Sequence, residues 1–479
     1  MKPSFLLATS AVGLAALVAC AAADGEAESV APALDGGAAI PEAASPVEAD
    51  AAAPTRDASL PTWSACNDDG WCETDLPDPD LTLFDVWPFE HRAFAVAQSE
   101  TLGTKLLEWT EATAKWSYVD DNSHNAYGQG QYTGKMFAPS ENEVYFITAP
   151  GIVVHGKRGN PQAAFTWDSA TLPYDGPVYP DRDPGIARQW DNPLVAPPRF
   201  SYALGVLGTS ENDVYAWFGN RIFRRTSTGG APPTWGADFT AEDPELGSNE
   251  SFYIFNAAKG EDDEVWFVGG RGAYEGGSYR GCPTLHRRTG AGYTSVIDST
   301  MVDHNCATRP GAVDPTYMFN IPGWGAIPFP LSYTGWGTAA VSVGAGQAVF
   351  LLDGKNAFYY VDVAKGIARV NEIRSVVPPV AGSTPFLHAT DRIGDRLWIS
   401  GHGTVFSSEI TKAPWEESLG IGTLEYFEAA GTGIGAVLEL TSVDMKGRYL
   451  NEPLYQVRGA STNTIWAVGN HYALYKKTP

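Results

Sequence analysis

Val214-Tyr215-Ala216-Trp217, Val265-Trp266-Phe267-Val268 and Ile465-Trp466-Ala467-Val468 are copies of one short pattern: apolar, aromatic, apolar, apolar. The pattern returns as Ala93-Phe94-Ala95-Val96, Val144-Tyr145-Phe146-Ile147, Val349-Phe350-Leu351-Leu352 and Leu397-Trp398-Ile399-Ser400. A Gly often follows it. A polar turn precedes several copies, as in Ser140-Glu141-Asn142-Glu143, Ser210-Glu211-Asn212-Asp213 and Ser461-Thr462-Asn463-Thr464. Apolar runs bounded by such residues read as strands entered from tight hairpins.

The flanks repeat as well. An apolar stretch lies before each turn, as at 202–207 and 253–258. A Gly- or Asn-bearing turn follows the motif, as at Gly219-Asn220 and Gly469-Asn470, and a third strand comes after it, as at 222–225 and 473–476. Trp116, Trp167, Trp235 and Trp415 each open a fourth. Four antiparallel strands repeated seven times make the blades of a β-propeller. The expected fold is therefore all-β, a single seven-bladed propeller over residues 62–479. The motif aromatics at 94, 145, 215, 266, 350, 398 and 466 are unevenly spaced. Some connections must carry insertions beyond the roughly 40–50 residues of a lean blade. The composition agrees, with 12% aromatic and 18% charged residues, 51 Gly and 34 Pro.

Over about residues 81–479 the repeat resembles that of uncharacterised seven-bladed propeller lipoproteins of large-genome Gram-negative bacteria, in which an N-D-V-W-A-V-G core precedes a short hairpin. It departs from other propeller signatures. No Ser-x-Asp-x-Gly-x-x-Trp box occurs, Trp167-Asp168 and Trp190-Asp191 are out of register for WD40, and Gly269-Gly270 alone makes no kelch set.

The N-terminus fits the lipoprotein half of that resemblance. Lys2 and the apolar run at 5–18 read as a signal peptide over 1–19, too short to span a bilayer, which needs about 20 residues. Leu17-Val18-Ala19-Cys20 looks like a lipobox, which implies cleavage before Cys20 and acylation of its thiol. Ala21, in place of Asp, implies outer-membrane sorting. Residues 20–61 read as the lipid anchor and a disordered tether. Positions 21–61 hold fifteen Ala, five Pro and eight acids against Arg56 alone, with no aromatic to bury. Pro32, Pro41, Pro46 and Pro54 interrupt any helix there.

With Cys20 lipidated, Cys66, Cys72, Cys282 and Cys306 remain. Their spacings favour the pairs 66–72 and 282–306 among the three possible. A zinc site is the competing reading, but no C-x-x-C occurs.

With strands A to D counted outward from the axis, the long insertions fall on the face of the B–C turns and the D-to-A crossings. They lie at 160–200, 270–283 and about 298–337. Loops on a rigid scaffold carry function, and their aromatics suit sugar stacking or protein contact. The candidate ligand-binding residues are Trp190, Tyr274, Tyr279, Trp324 and Trp336, with Tyr127 and Tyr132 from the segment Tyr127-Gly128-Gln129-Gly130-Gln131-Tyr132. No G-x-S-x-G, H-E-x-x-H, P-loop or dinucleotide fingerprint is present. No cofactor or metal is expected. His402 and His471 read as turn residues, and Asp78-Pro79-Asp80 and Asp181-Arg182-Asp183 lack a calcium-loop ligand set. The net charge of −24 opposes nucleic acid and anionic lipid surfaces as partners.

The leading reading is a non-enzymatic binding or scaffold lipoprotein of the cell envelope, holding a glycan or a protein on its insertion-rich face. The alternative is a propeller polysaccharide hydrolase or lyase using carboxylates clustered there, since two acids brought together in space suffice. One structural expectation is sharper. The seventh unit lacks a fourth strand after 473–476, and an open edge invites aggregation. A stretch within 61–75, tied by Cys66–Cys72, is expected to supply it.

Overall fold

The computed structural model describes residues 66–477 apart from 124–133, 150, 174–203, 227–231, 242–249, 276–277, 303–304, 314, 322–324, 331–336, 353–356, 375–386, 411–422, 426–438, 442–449 and 451. Its described residues form seven blades, each built on four antiparallel strands, and no helix. Blade one is Thr82–Pro88, Arg92–Ser99, Gly103–Thr110 and Lys115–Tyr118. Blades two and three repeat the order from Phe137–Ser140 and from Leu204–Ser210. The first strands of consecutive blades are neighbours around an axis, and Leu454–Ser461 of blade seven packs against Thr82–Pro88 of blade one, so the ring closes.

All seven motif aromatics sit on the second strand of a blade, and each is at most 6% exposed. The following Gly has a steric cause at two equivalent positions. A Cβ on Gly269 would stand 1.9 Å from the Tyr253 carbonyl oxygen, and one on Gly469 would stand 1.9 Å from that of Pro453. In both blades strand A bulges beside the Gly, between Ile254 and Asn256 and between Leu454 and Gln456. Bulges re-aim the side chains beyond them.

A second recurrent device spans strands B and C. An acid two residues before the aromatic ties the ring to a basic side chain on the next strand. Glu143 accepts the Tyr145 hydroxyl at 2.7 Å and bonds His155 at 2.9 Å. Asp213 accepts Tyr215 at 2.9 Å and Arg224 Nε at 2.7 Å. Glu264 accepts Trp266 Nε1 at 3.1 Å and pairs with Arg287. The bond from His155, above all, holds the Glu143 carboxyl down at about 2.

Blade seven is completed as expected. Trp71–Glu73 pairs antiparallel with Tyr472–Lys477, Cys72 opposite Tyr475. The Cys66–Cys72 disulfide lies at the start of this strand.

Three readings are corrected. The expected insertion at 270–283 is strand on both sides of 276–277: Val265–Glu275 and Ser278–Thr289 form one ladder from Val265↔Arg288 to Glu275↔Ser278. The crossing to blade five is not a plain loop. Asn305–Thr308 adds a fifth strand to blade four, and the hairpin Pro315–Ile321/Gly325–Pro330 adds to blade five beside Ile367–Arg374. Blade six takes Glu439–Thr441 as its fourth strand, where a strand opened by Trp415 was expected. Trp415 lies outside the described residues. Each correction has one physical cause: backbone pairing recruits Gly-rich or short segments that carry little pattern of their own.

Candidate functional site

Of the sequence-predicted binding residues, Tyr127, Tyr132, Trp190, Trp324 and Trp336 lie outside the described residues. Tyr274 and Tyr279 are placed directly opposite one another, one register step from the end of the blade-four hairpin. That hairpin rises on the B–C side and is clamped at its base. Cys282 on strand C is joined to Cys306 on the added fifth strand, Cα to Cα 5.4 Å. Arg271, opposite Cys282, is 2% exposed, and its Nε donates to Asp298 at 3.0 Å. All four of these cysteines are in disulfides, which leaves no thiolate there for zinc. Among the described residues no group of three or more His, Cys, Asp or Glu is placed to hold a metal ion.

A second site lies on the axis, and the sequence reading missed it. One strand-A residue faces each motif aromatic across the A–B ladder. These residues are Trp87, Phe137, Leu207 and Ala258 in blades one to four. They continue as Ala340, Asp391 and Arg458 in blades five to seven. All but Phe137 line one cavity of about 350 Å³. Phe137 instead packs edge-on against Trp87. The ring is thus apolar over five blades and carries opposite charges on the last two. A signal existed in the sequence: these positions fall seven to ten residues before each motif aromatic.

The charged pair is held by different means. The Arg458 guanidinium lies 4.3 Å from the centre of the Trp87 ring, and its Nη2 is 3.4 Å from Asp85. Asp85 is fixed in turn by the backbone amides of Val86 and Met136, at 2.8 and 3.0 Å. Arg458 Nη1 is buried and meets no hydrogen-bond partner among the described residues. Asp391 accepts the Arg392 and Gly459 amides at 2.9 and 3.3 Å and has no ion-pair partner there. Burial pushes its carboxyl up to about 6, against the opposing pull of Arg458. On the cavity floor Gln456 accepts from Lys135 at 2.7 Å, and burial lowers that ammonium to about 8. At the rim Arg392 pairs with exposed Glu261 at 2.9 Å. The rim residues 259–261 run into the A–B turn of blade four, so this cavity and the braced hairpin lie toward opposite ends of the blade.

Neither a protein-family model nor a curated protein matches the sequence. Solved structures align over most of its length. "YCF48 bound to D1 peptide" aligns at 11% identity and TM-score 0.46, covering 87% of this chain and 100% of that one. YCF48 from Cyanidioschyzon merolae aligns at 11% identity and TM-score 0.46, covering 86% and 99%. U3-55K aligns at 9% identity and TM-score 0.47, covering 84% and 97%. At these identities and TM-scores the likeness carries no argument about this chain.

Proposed function

We propose that the protein is a non-catalytic binding module of the cell envelope, anchored to the outer membrane through lipidated Cys20 and holding a glycan on its insertion-rich face. The observation that carries this reading is the blade-four hairpin. It is lengthened well beyond the strands of the other blades and braced by Cys282–Cys306 and Arg271–Asp298. A projection braced at its base lowers the ordering cost of binding. Tyr274 and Tyr279, opposed near its end, are residue types that stack on sugar rings or fill protein pockets.

Two experiments test the reading. Cys20→Ser should move the protein from the detergent phase to the aqueous phase in phase partitioning; a variant that still partitions with detergent would remove the anchor. The full chain should bind members of an envelope-polysaccharide panel, and Tyr274→Ala with Tyr279→Ala should weaken that binding about tenfold. Binding confined to outer-membrane proteins would replace the glycan with a protein partner.

A further inference from the structure

The strand that completes blade seven is short. Its ladder is Trp71 opposite Lys476, Cys72 opposite Tyr475 and Glu73 opposite Leu474. Just before it, Cys66 faces Cys72 in an isolated antiparallel bridge, and a disulfide joins the two. Asn67 folds the turn between them. Its side chain accepts the Trp71 amide at 2.9 Å, and its carbonyl accepts the Gly70 amide at 3.0 Å. The disulfide therefore fastens the turn that presents Trp71 and Cys72 to the last strand of the chain.

The two disulfides of the described chain differ in access. Cys66 is exposed and Cys72 is 3% exposed. In the blade-four pair Cys282 is completely buried and Cys306 is partly buried. Thiol–disulfide exchange needs a thiolate to reach a sulfur, so access helps to set its rate. An external thiol meets Cys66 first. Beyond the closing strand the chain is held by other means. The Thr74 hydroxyl donates to the Ala473 carbonyl at 2.7 Å and accepts from Trp116 Nε1 at 2.9 Å. Tyr118 donates to Asp78, and Ser99 donates to Asp80 at 2.7 Å. An opening that starts at Cys66 is thus arrested at Thr74, with blade one undisturbed.

We infer that Cys66–Cys72 is a redox latch on the closing strand, opened by an external dithiol that enters at Cys66. One thiolate of the dithiol attacks Cys66 Sγ. The bond to Cys72 breaks, and Cys72 leaves as a thiolate that takes up a proton. The second thiol of the reductant then attacks the reductant's own sulfur in the mixed disulfide. Cys66 is released as a thiol, and the reductant departs as a cyclic disulfide. Two electrons pass from the dithiol to the two cysteines. Without the cross-link, whose sequence separation is 6, the undocked segment regains its loop entropy. The open population then rises about thirtyfold, or about 2 kcal/mol. Opening bares the outer edge of Tyr472–Lys477, a row of backbone groups ready to pair with an incoming strand. The latch does not depend on the glycan-binding face.

The test titrates the full chain with dithiothreitol, maps the cysteines that become alkylated, and follows amide hydrogen exchange in the same samples. Cys66 and Cys72 should be alkylated at a dithiol concentration at least about tenfold below that needed for Cys282 and Cys306. At that concentration the amides paired between 71–73 and 472–477 should exchange about thirtyfold faster, while those of Asp213–Phe218 in blade three keep their rates. Cys66→Ser with Cys72→Ser should show the fast exchange without dithiol and no further change with it. In the folded single variants, Cys66 of Cys72→Ser should react readily with the alkylating agent, and Cys72 of Cys66→Ser should be protected. Three results would each overturn the inference. These are reduction of Cys282–Cys306 before or together with Cys66–Cys72, unchanged exchange at 472–477 once Cys66 and Cys72 are reduced, and exchange that rises equally in every blade.

Discussion

Trp71 stands directly opposite Lys476 on the outer edge of blade seven, joining the start of the described chain to its end. The Lys476 ammonium lies 5.4 Å from the centre of the Trp71 ring, and Trp71 meets Trp398 of blade six edge-on at 6.4 Å. Trp71 is completely buried, so the closing strand packs two blades as well as pairing one. Deleting 21–58 leaves every described contact in place and should leave Tm unchanged. Deleting 21–76 removes the strand and should lower Tm by more than about 10 °C, because losing one buried Trp alone costs about 3–5 kcal/mol. Equal melting temperatures for the two truncations would rule out a stabilising closure.

The ring was legible in the sequence because each second strand must present apolar side chains to neighbouring blades on both faces. Trp266 and Phe267 are both completely buried, and no amphipathic alternation hides them. The missing strand of blade seven was legible for a different reason, since an unpaired edge is a physical liability that nearby chain must cover. The blade-four hairpin was not legible. Gly270, Gly272 and Gly281 fall in the stretch that reads as an insertion, yet the ladder runs straight through them. The axial site was hidden by chemistry rather than pattern. Asp391 and Arg458 are ordinary surface residue types, and only the shared A–B register reveals that they stand on the axis beside Trp87.

The acid–aromatic–base device should show itself in acid. The folded state holds Glu143 at about 2, chiefly through the bond with His155, below the ordinary 4.5. Its contribution is complete above about pH 4.5 and is lost as pH falls toward about 2. Glu143→Gln should destabilise the protein by about 1–3 kcal/mol at pH 7, with the difference shrinking toward pH 3. Chemical denaturation at the two pH values measures it, and a difference that stays constant would remove Glu143 from the acid response.

Asp391 predicts the opposite sign. Its folded pKa is raised to about 6 by burial, with Arg458 and the Gly459 and Arg392 amides opposing that rise and Asp85 adding to it. The folded protein therefore holds this proton more tightly than the unfolded chain does. The contribution is favourable below about pH 4 and is lost as pH rises through about 6. Asp391→Asn should stabilise the unliganded protein by about 1 kcal/mol at pH 7.5 and by nothing at pH 4. A destabilised variant at pH 7.5 would contradict the burial argument.

The blade-four brace closes a sequence separation of 24 residues. Replacing Cys282 and Cys306 together by Ala should lower stability by about 3 kcal/mol. Limited proteolysis should then cut first within 271–282. Peptide mapping of the native protein should recover the two as one cross-linked pair, and a free thiol at either would contradict the clamp.

The central claim is that the insertion-rich face binds a glycan and does not turn it over. The direct measurement is a titration of the full chain with an envelope polysaccharide, followed by chain-length analysis of the same sample. The account predicts saturable binding, weakened about tenfold by Tyr274→Ala with Tyr279→Ala, and polysaccharide recovered at its original length. Shortened chains, with the shortening abolished by an acid-to-amide change on that face, would contradict it and make the protein a hydrolase or lyase.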